Sequence, residues 1–226
     1  MLARSALFAS SRRHAANLVS LLGVLLIGAL ALDGGRDYLV PVMLANNIMD
    51  DLDGIVAAKL GIRSQFGARL DSVCDAIAHT AFVMVIGMPR GGLCAAASLA
   101  AVAAIIMRSV SRLTPGPSKG SPTNELVRHL LFVLLLTEFL GASPTPFLTV
   151  VFVFHTVSML VTYRMPQLIR SVTTSATAIG LLNVTLIVAW LVPYATPFIA
   201  ASFMLTYLYS FAKGAVGPIK REAPGA

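Results

Sequence analysis

Eight apolar stretches follow one another along this chain, most of them close to the length of helix that crosses a bilayer, about 20 residues. They run Ala16–Leu32, Tyr38–Leu60, Ala68–Met88, Gly92–Val110, Leu126–Leu140, Thr145–Tyr163, Val172–Val192 and Thr196–Ala212. The runs are too long and too unbroken for strands, which would alternate with period two. Hydrophobic residues fill 57% of the 226 positions and charged residues 12%, against about a half and a quarter in soluble domains. A soluble fold of this length cannot hide so much apolar surface. The sequence therefore predicts an all-α integral membrane protein, a single bundle of about eight transmembrane helices over residues 1–226. Leu126–Leu140 is short enough for a tilted or partly re-entrant passage.

The loops give an independent count. With the N-terminus in the cytoplasm and eight crossings, only Arg36 and Arg90 of the 17 basic residues fall outside. That bias is the positive-inside pattern, and a miscount by one span would scramble it. Both termini are then expected on the cytoplasmic side. The net charge of +7 would suggest nucleic acid in a soluble protein; here the loops absorb it, and no nucleic-acid partner is expected. Basic residues, an apolar run and Ala29-Leu30-Ala31 resemble a cleavable leader. The run is long for one, and the topology expects it retained. Cys74 and Cys94 both fall in apolar stretches and have neither disulfide-framework nor metal-ligand spacing.

Carboxylates are costly inside a bilayer and mark function by default. Of the 10 acidic residues, five fall between Asp50 and Asp75. Asp50 and Asp53 are three apart, with Gly54 and Ala57 following on the same helical face. Gly67, Asp71 and Asp75 repeat every four residues, again on one face. Two antiparallel helices joined near Lys59–Phe66 would bring both faces together at the cytoplasmic end. Carboxylates converging there repel one another unless cations neutralise them. Oxygen ligands without His or Cys point to Mg2+, Mn2+ or Ca2+ rather than zinc. Gly54, Ala57 and Gly67 lack bulk, so a ligand could approach the backbone closely.

The pattern Asp50-x-x-Asp53-Gly54-x-x-Ala57, eight residues after Ala58, then Gly67-x-x-x-Asp71-x-x-x-Asp75 resembles the signature of the CDP-alcohol phosphatidyltransferases. The resemblance covers about residues 12 to 115 and includes Ala16-Asn17-Leu18-Val19-Ser20 before the first span. It implies a six-helix core, here with two further helices, and transfer of a phosphatidyl group from a CDP-linked lipid to a small alcohol with release of CMP. It implies that Asp50, Asp53, Asp71 and Asp75 hold a two-metal centre of Mg2+ or Mn2+, and that Asp75 also takes the hydroxyl proton. Asp53, Gly54, Ala57 and Gly67 would lie at the cytidine nucleotide, and the protein would work as a homodimer among membrane lipids. The family usually has Arg where this chain has Ala58, and Lys59 beside it lies about 100° round the helix.

Arg108 and Arg112 are one turn apart at the inner end of the fourth span and read as topological anchors or as phosphate or acceptor contacts. Arg164 and Arg170 near the end of the sixth span could reach an anionic headgroup, with interfacial anchoring the simpler account. Lys119-Gly120-Ser121-Pro122-Thr123-Asn124-Glu125 is richer than a minimal connector. It resembles, weakly, the acceptor-side loop of serine-using members, so L-serine is the favoured acceptor; choline, inositol, inositol phosphate and glycerol phosphate stay open. His79, one turn beyond Asp75, is expected to bond to that carboxylate or to be a buried neutral group. His129 and His155 read as core histidines, Asp51 as a solvated or helix-end group, and Glu125 with Arg128 as a helix-end pair. The rival from another class is a divalent-cation transporter, which would spread its acids through the membrane depth and over more than two helices.

Overall fold

The computed structural model describes residues 2–113, 119–166, 168 and 175–216. Among them are eight α-helices and no strand, only an isolated bridge between Gly120 and Arg164. The helices are α1 (Leu2–Ile27), α2 (Leu39–Lys59), α3 (Gln65–Gly87), α4 (Gly92–Leu113), α5 (Thr123–Phe139), α6 (Thr145–Leu160), α7 (Ala176–Leu191) and α8 (Thr196–Val216). Each coincides with one of the eight apolar stretches. The start of the seventh stretch and the basic residues Arg170, Lys220 and Arg221 lie outside the described residues.

Four helical segments are long and apolar enough to cross a membrane: His14–Ala31, Gln65–Arg90, Gly92–Leu113 and Thr196–Val216. The other four fall short for identifiable reasons. Helix α2 carries Asp50, Asp51, Asp53 and Lys59. Helices α6 and α7 have 16 residues each, a rise of about 24 Å against a hydrocarbon core of about 30 Å. Helix α5 has 17 residues with Glu125, Arg128 and Glu138 among them.

Helix α5 is the hub. It packs on α2, α3, α6, α7 and α8, and its residues from Glu125 to Phe132 are all buried. A helix buried nearly all round its first three turns belongs inside the bundle. Around it, α1 packs on α2 and α3, and α4 packs on α3 and α6. Small residues let the helices close up: a Cβ added at Gly87 of α3 would lie 2.2 Å from the Cβ of Ser98 on α4. The core runs through Met43, Phe82, Ile86, Ile105, Leu130 and Phe152. Outward-facing Leu25, Leu93, Met107, Val150 and Phe198 are exposed.

The turn that matters for the site is the short link from α2 to α3. Helix α2 ends at Lys59, and Gly61 at φ +64° supplies the left-handed step that reverses the chain. Ser64 then caps α3, its Oγ accepting from the Gly67 amide at 2.9 Å. This returns α3 alongside α2 with both aspartate-bearing faces at one end of the bundle.

Candidate metal and ligand site

One carboxylate oxygen from each of Asp50, Asp53 and Asp71 lies within 4.8 Å of the others. Asp75, one turn beyond Asp71, lines the same cavity, a volume of about 670 Å3. Asp50 and Arg112 each neighbour both Asp71 and Asp75. The donor set is all carboxylate, hard and anionic, with no His or Cys atom among it. Such a set suits a hard divalent cation of the Mg2+ or Mn2+ kind, because several carboxylates at this spacing repel unless a cation lies between them.

Other elements hold the carboxylates in place. Ser20 on α1 donates to Asp53, which is only 7% exposed. Asn124 in the first turn of α5 donates to Asp50 at 2.7 Å. Asp51 is tied into the same end of the bundle: Asn183 on α7 donates to it at 2.7 Å and Asn47 at 3.3 Å. The expectation of a solvated or helix-end Asp51 is therefore corrected. Asp51 is half-buried and lines the cavity, and Asn183 of α7, distant in sequence, ties it to that helix. Arg128 donates to Asn47 at 3.3 Å and to Glu125 at 3.2 Å, so the Glu125–Arg128 pair is a buried brace between α5 and α2.

The small residues divide in role. Gly54 lines the cavity, and a Cβ there would meet nothing within 4 Å. Ala57 and Gly67 are not among the residues lining it. Gly67 instead lies under α1, where a Cβ would stand 3.1 Å from Ser64 Oγ and 3.3 Å from Asn17 Oδ1. Ala58 and Lys59 both line the cavity, as does Arg63. The helical-wheel placement of Lys59 away from the site does not hold, because Lys59 is the last residue of α2 and the cavity wraps round that helix end.

Arg108 and Arg112 also line the cavity, and Arg112 stands 3.8 Å from Asp75. Arg164 does not; its side chain is exposed and its backbone bridges to Gly120. His79 makes its bond to Thr123 Oγ1 at 2.8 Å, not to Asp75. His129 and His155 are buried, as expected of core histidines; they meet at 2.8 Å, and Tyr207 reaches His155 at 3.2 Å and also Ser158. Sequence reasoning named Ser20 and Asn124 only as parts of longer segments, with no role toward the aspartates, and passed over Asn47, Asn183 and Tyr207. The signal that could have found the asparagines is the one used for the acids, a polar side chain within an apolar helix.

No protein-family model matches this sequence, and no curated protein matches it. What the chain does is therefore read from its own residues.

Proposed function

We propose that this chain is a membrane-embedded, metal-dependent phosphatidyltransferase, moving a phosphatidyl group from a CDP-linked lipid such as CDP-diacylglycerol to a small alcohol and releasing CMP. The observation that carries the reading is the convergence of Asp50, Asp53 and Asp71 within 4.8 Å, with Asp75 lining the same arginine-bearing cavity. The spacing of these aspartates, similar to the CDP-alcohol phosphatidyltransferase signature, supports it.

In the proposed reaction the acceptor hydroxyl oxygen bonds to the phosphorus that carries diacylglycerol, and the bond from that phosphorus to the CMP oxygen breaks. The hydroxyl proton passes to Asp75, which needs only hydrogen-bond reach to do so. Mg2+ or Mn2+ held by the four aspartates would supply charge neutralisation at the pyrophosphate. Gly54 leaves open space for the nucleotide, and Arg108 and Arg112 offer cations to an anionic group. All eight helices would cross the bilayer, with the cavity and both termini at the cytoplasmic face, as the basic loops favour. The resemblance also suggests a homodimer, which mass measurement in lipid nanodiscs would test.

The deciding assay supplies the purified protein with CDP-diacylglycerol, Mg2+ or Mn2+, and a panel of labelled alcohols: L-serine, choline, inositol, inositol phosphate and glycerol phosphate. CMP release is expected with one of them, L-serine favoured, and is expected to stop in EDTA. Release from none would sink the reaction, and release that survives EDTA would sink the metal centre. Metal flux into liposomes without lipid turnover would favour the transporter instead.

A further inference from the structure

Helix α2 carries Asp50 and Asp53, and side chains from three other helices grip it round its circumference. Ser20 of α1 holds Asp53, Asn124 of α5 holds Asp50, and Asn183 of α7 holds Asp51. Successive residues of a helix point about 100° apart, so Asp51 stands a quarter-turn or so from Asp50 and Asn47 lies between them.

Asn183 belongs to a helix that gives the cavity no carboxylate, and its amide is fully engaged. Its Nδ2 donates to Asp51 at 2.7 Å and to the Ile179 carbonyl of its own helix at 3.1 Å, while its Oδ1 accepts from Asn47 at 2.7 Å. Asn47 also donates to Asp51 at 3.3 Å and accepts from Arg128 at 3.3 Å. A continuous chain of bonds therefore runs from α7 through α2 to α5. Helix α7 is fixed at its far end, where Leu186 and Ala189 are buried and Thr196 of α8 donates to the Ala189 carbonyl at 2.5 Å.

The bonds from α5 and α7 reach α2 from different directions, so turning α2 in either sense breaks at least one of them. A side chain at a helix surface lies about 5–6 Å from the axis, so a turn of about 20° carries a carboxylate about 2 Å. A metal site tolerates about 0.2 Å in its ligand distances. The rotation of α2 is thus a quantity on which such a site depends.

Resting on the metal centre of the proposed function, we infer that Asn183 is a positioning residue. With Asn47 and Asp51 it fixes the rotation of α2 and so aims Asp50 and Asp53 at one metal-binding point. It acts through α2 and is not itself a ligand. Mg2+ demands near-ideal octahedral geometry, whereas Ca2+ accepts a larger and more flexible shell. Releasing α2 therefore weakens Mg2+ binding more than Ca2+ binding.

The test titrates the full chain in lipid nanodiscs, without lipid donor, with Mg2+ and separately with Ca2+ by calorimetry, and records melting alongside. In N183A the Mg2+ affinity is expected to fall about 10- to 100-fold, the range for losing a supporting partner of a metal ligand. The Ca2+ affinity should fall by no more than about threefold, because its shell adapts. Exchanging the partners in D51N/N183D keeps the net charge and an amide–carboxylate bond, and should hold Mg2+ affinity within about threefold of the unaltered protein. An N183A protein that melts lower but keeps its Mg2+ affinity, or loses both ions equally, overturns the inference and leaves Asn183 an interhelical tie only. So does a folded exchange variant whose Mg2+ affinity is down about tenfold or more, and that variant decides alone if N183A does not fold. Failure of the unaltered protein to bind either ion overturns the metal centre, and the inference falls with it. Metal binding without CMP release from any acceptor overturns the transfer reaction alone.

Discussion

Asp53 and Asp75 differ in what surrounds them, and that difference predicts different failures. Asp53 is nearly covered and takes a hydrogen bond from Ser20. Removing the donor in Ser20→Ala leaves a buried carboxylate oxygen loosely held, and losing such a supporting bond typically weakens metal binding 10- to 100-fold, on the order seen for outer-shell partners. Titration with Mn2+ should read that loss, and an unchanged affinity would remove Ser20 from the site. Asp75 stands beside Arg112 at 3.8 Å and faces the cavity. Asp75→Asn cannot accept a proton, so kcat for CMP release should fall by about two orders of magnitude or more. Activity that persists in this variant would end the assignment of Asp75 as the base.

Helices meet in this bundle where side chains are small, and the close approaches are specific. Gly87→Ala places a Cβ against Ser98, so α3 and α4 must part or tilt. The melting temperature in detergent should drop, and adding Ser98→Gly should restore much of it by returning the lost space. A failure of the second change to rescue the first would show that this contact is not what sets the spacing. Gly120 is constrained differently. Its φ is +69°, and a Cβ there would meet the Met159 carbonyl oxygen at 2.4 Å. Gly120→Ala should cost at least about 1 kcal/mol from the left-handed backbone alone, with the crowding in addition. The effect should reach the site, because Ser121, Thr123 and Asn124 follow directly and hold Ser158, His79 and Asp50. A variant with a lower melting temperature and weaker CMP release would show this coupling; one with neither would refute it.

At the scale of the molecule the open question is orientation, and the loops make it testable. Cys74 and Cys94 are both buried and free, so replacing them gives a background for labelling. Gln65 and Arg36 are exposed, and they lie at opposite ends of the α2 region, Gln65 at the start of α3 just after the link and Arg36 just before α2. With the proposed topology, Gln65→Cys should react with an impermeant thiol reagent only from the cytoplasmic side and Arg36→Cys only from outside. Reaction of both from one side would mean that α2 does not cross. That result would also move the aspartate cavity away from where the lipid donor is proposed to enter.

The eight helices were legible in the chain because apolar run length is a local property, and most limits moved by only a few residues. The first helix, however, begins at Leu2 rather than Ala16, because the polar residues before Ala16 continue the same helix, and it ends at Ile27 rather than Leu32. The pairing of Asp50 and Asp53 with Asp71 was legible for the same reason: spacings of three and four put them on helix faces, and a short link forced those faces together. Tertiary structure alone decided what stands around them. Ser20, Asn124 and Asn183 come from helices far apart in sequence, and no periodicity says which helix packs on which. Packing likewise took Arg164 out of the cavity, paired His79 with Thr123, and tied Asp51 to Asn183 of α7. It also left one oxygen of Glu125 without a donor among the described residues, and that depends on every neighbour at once.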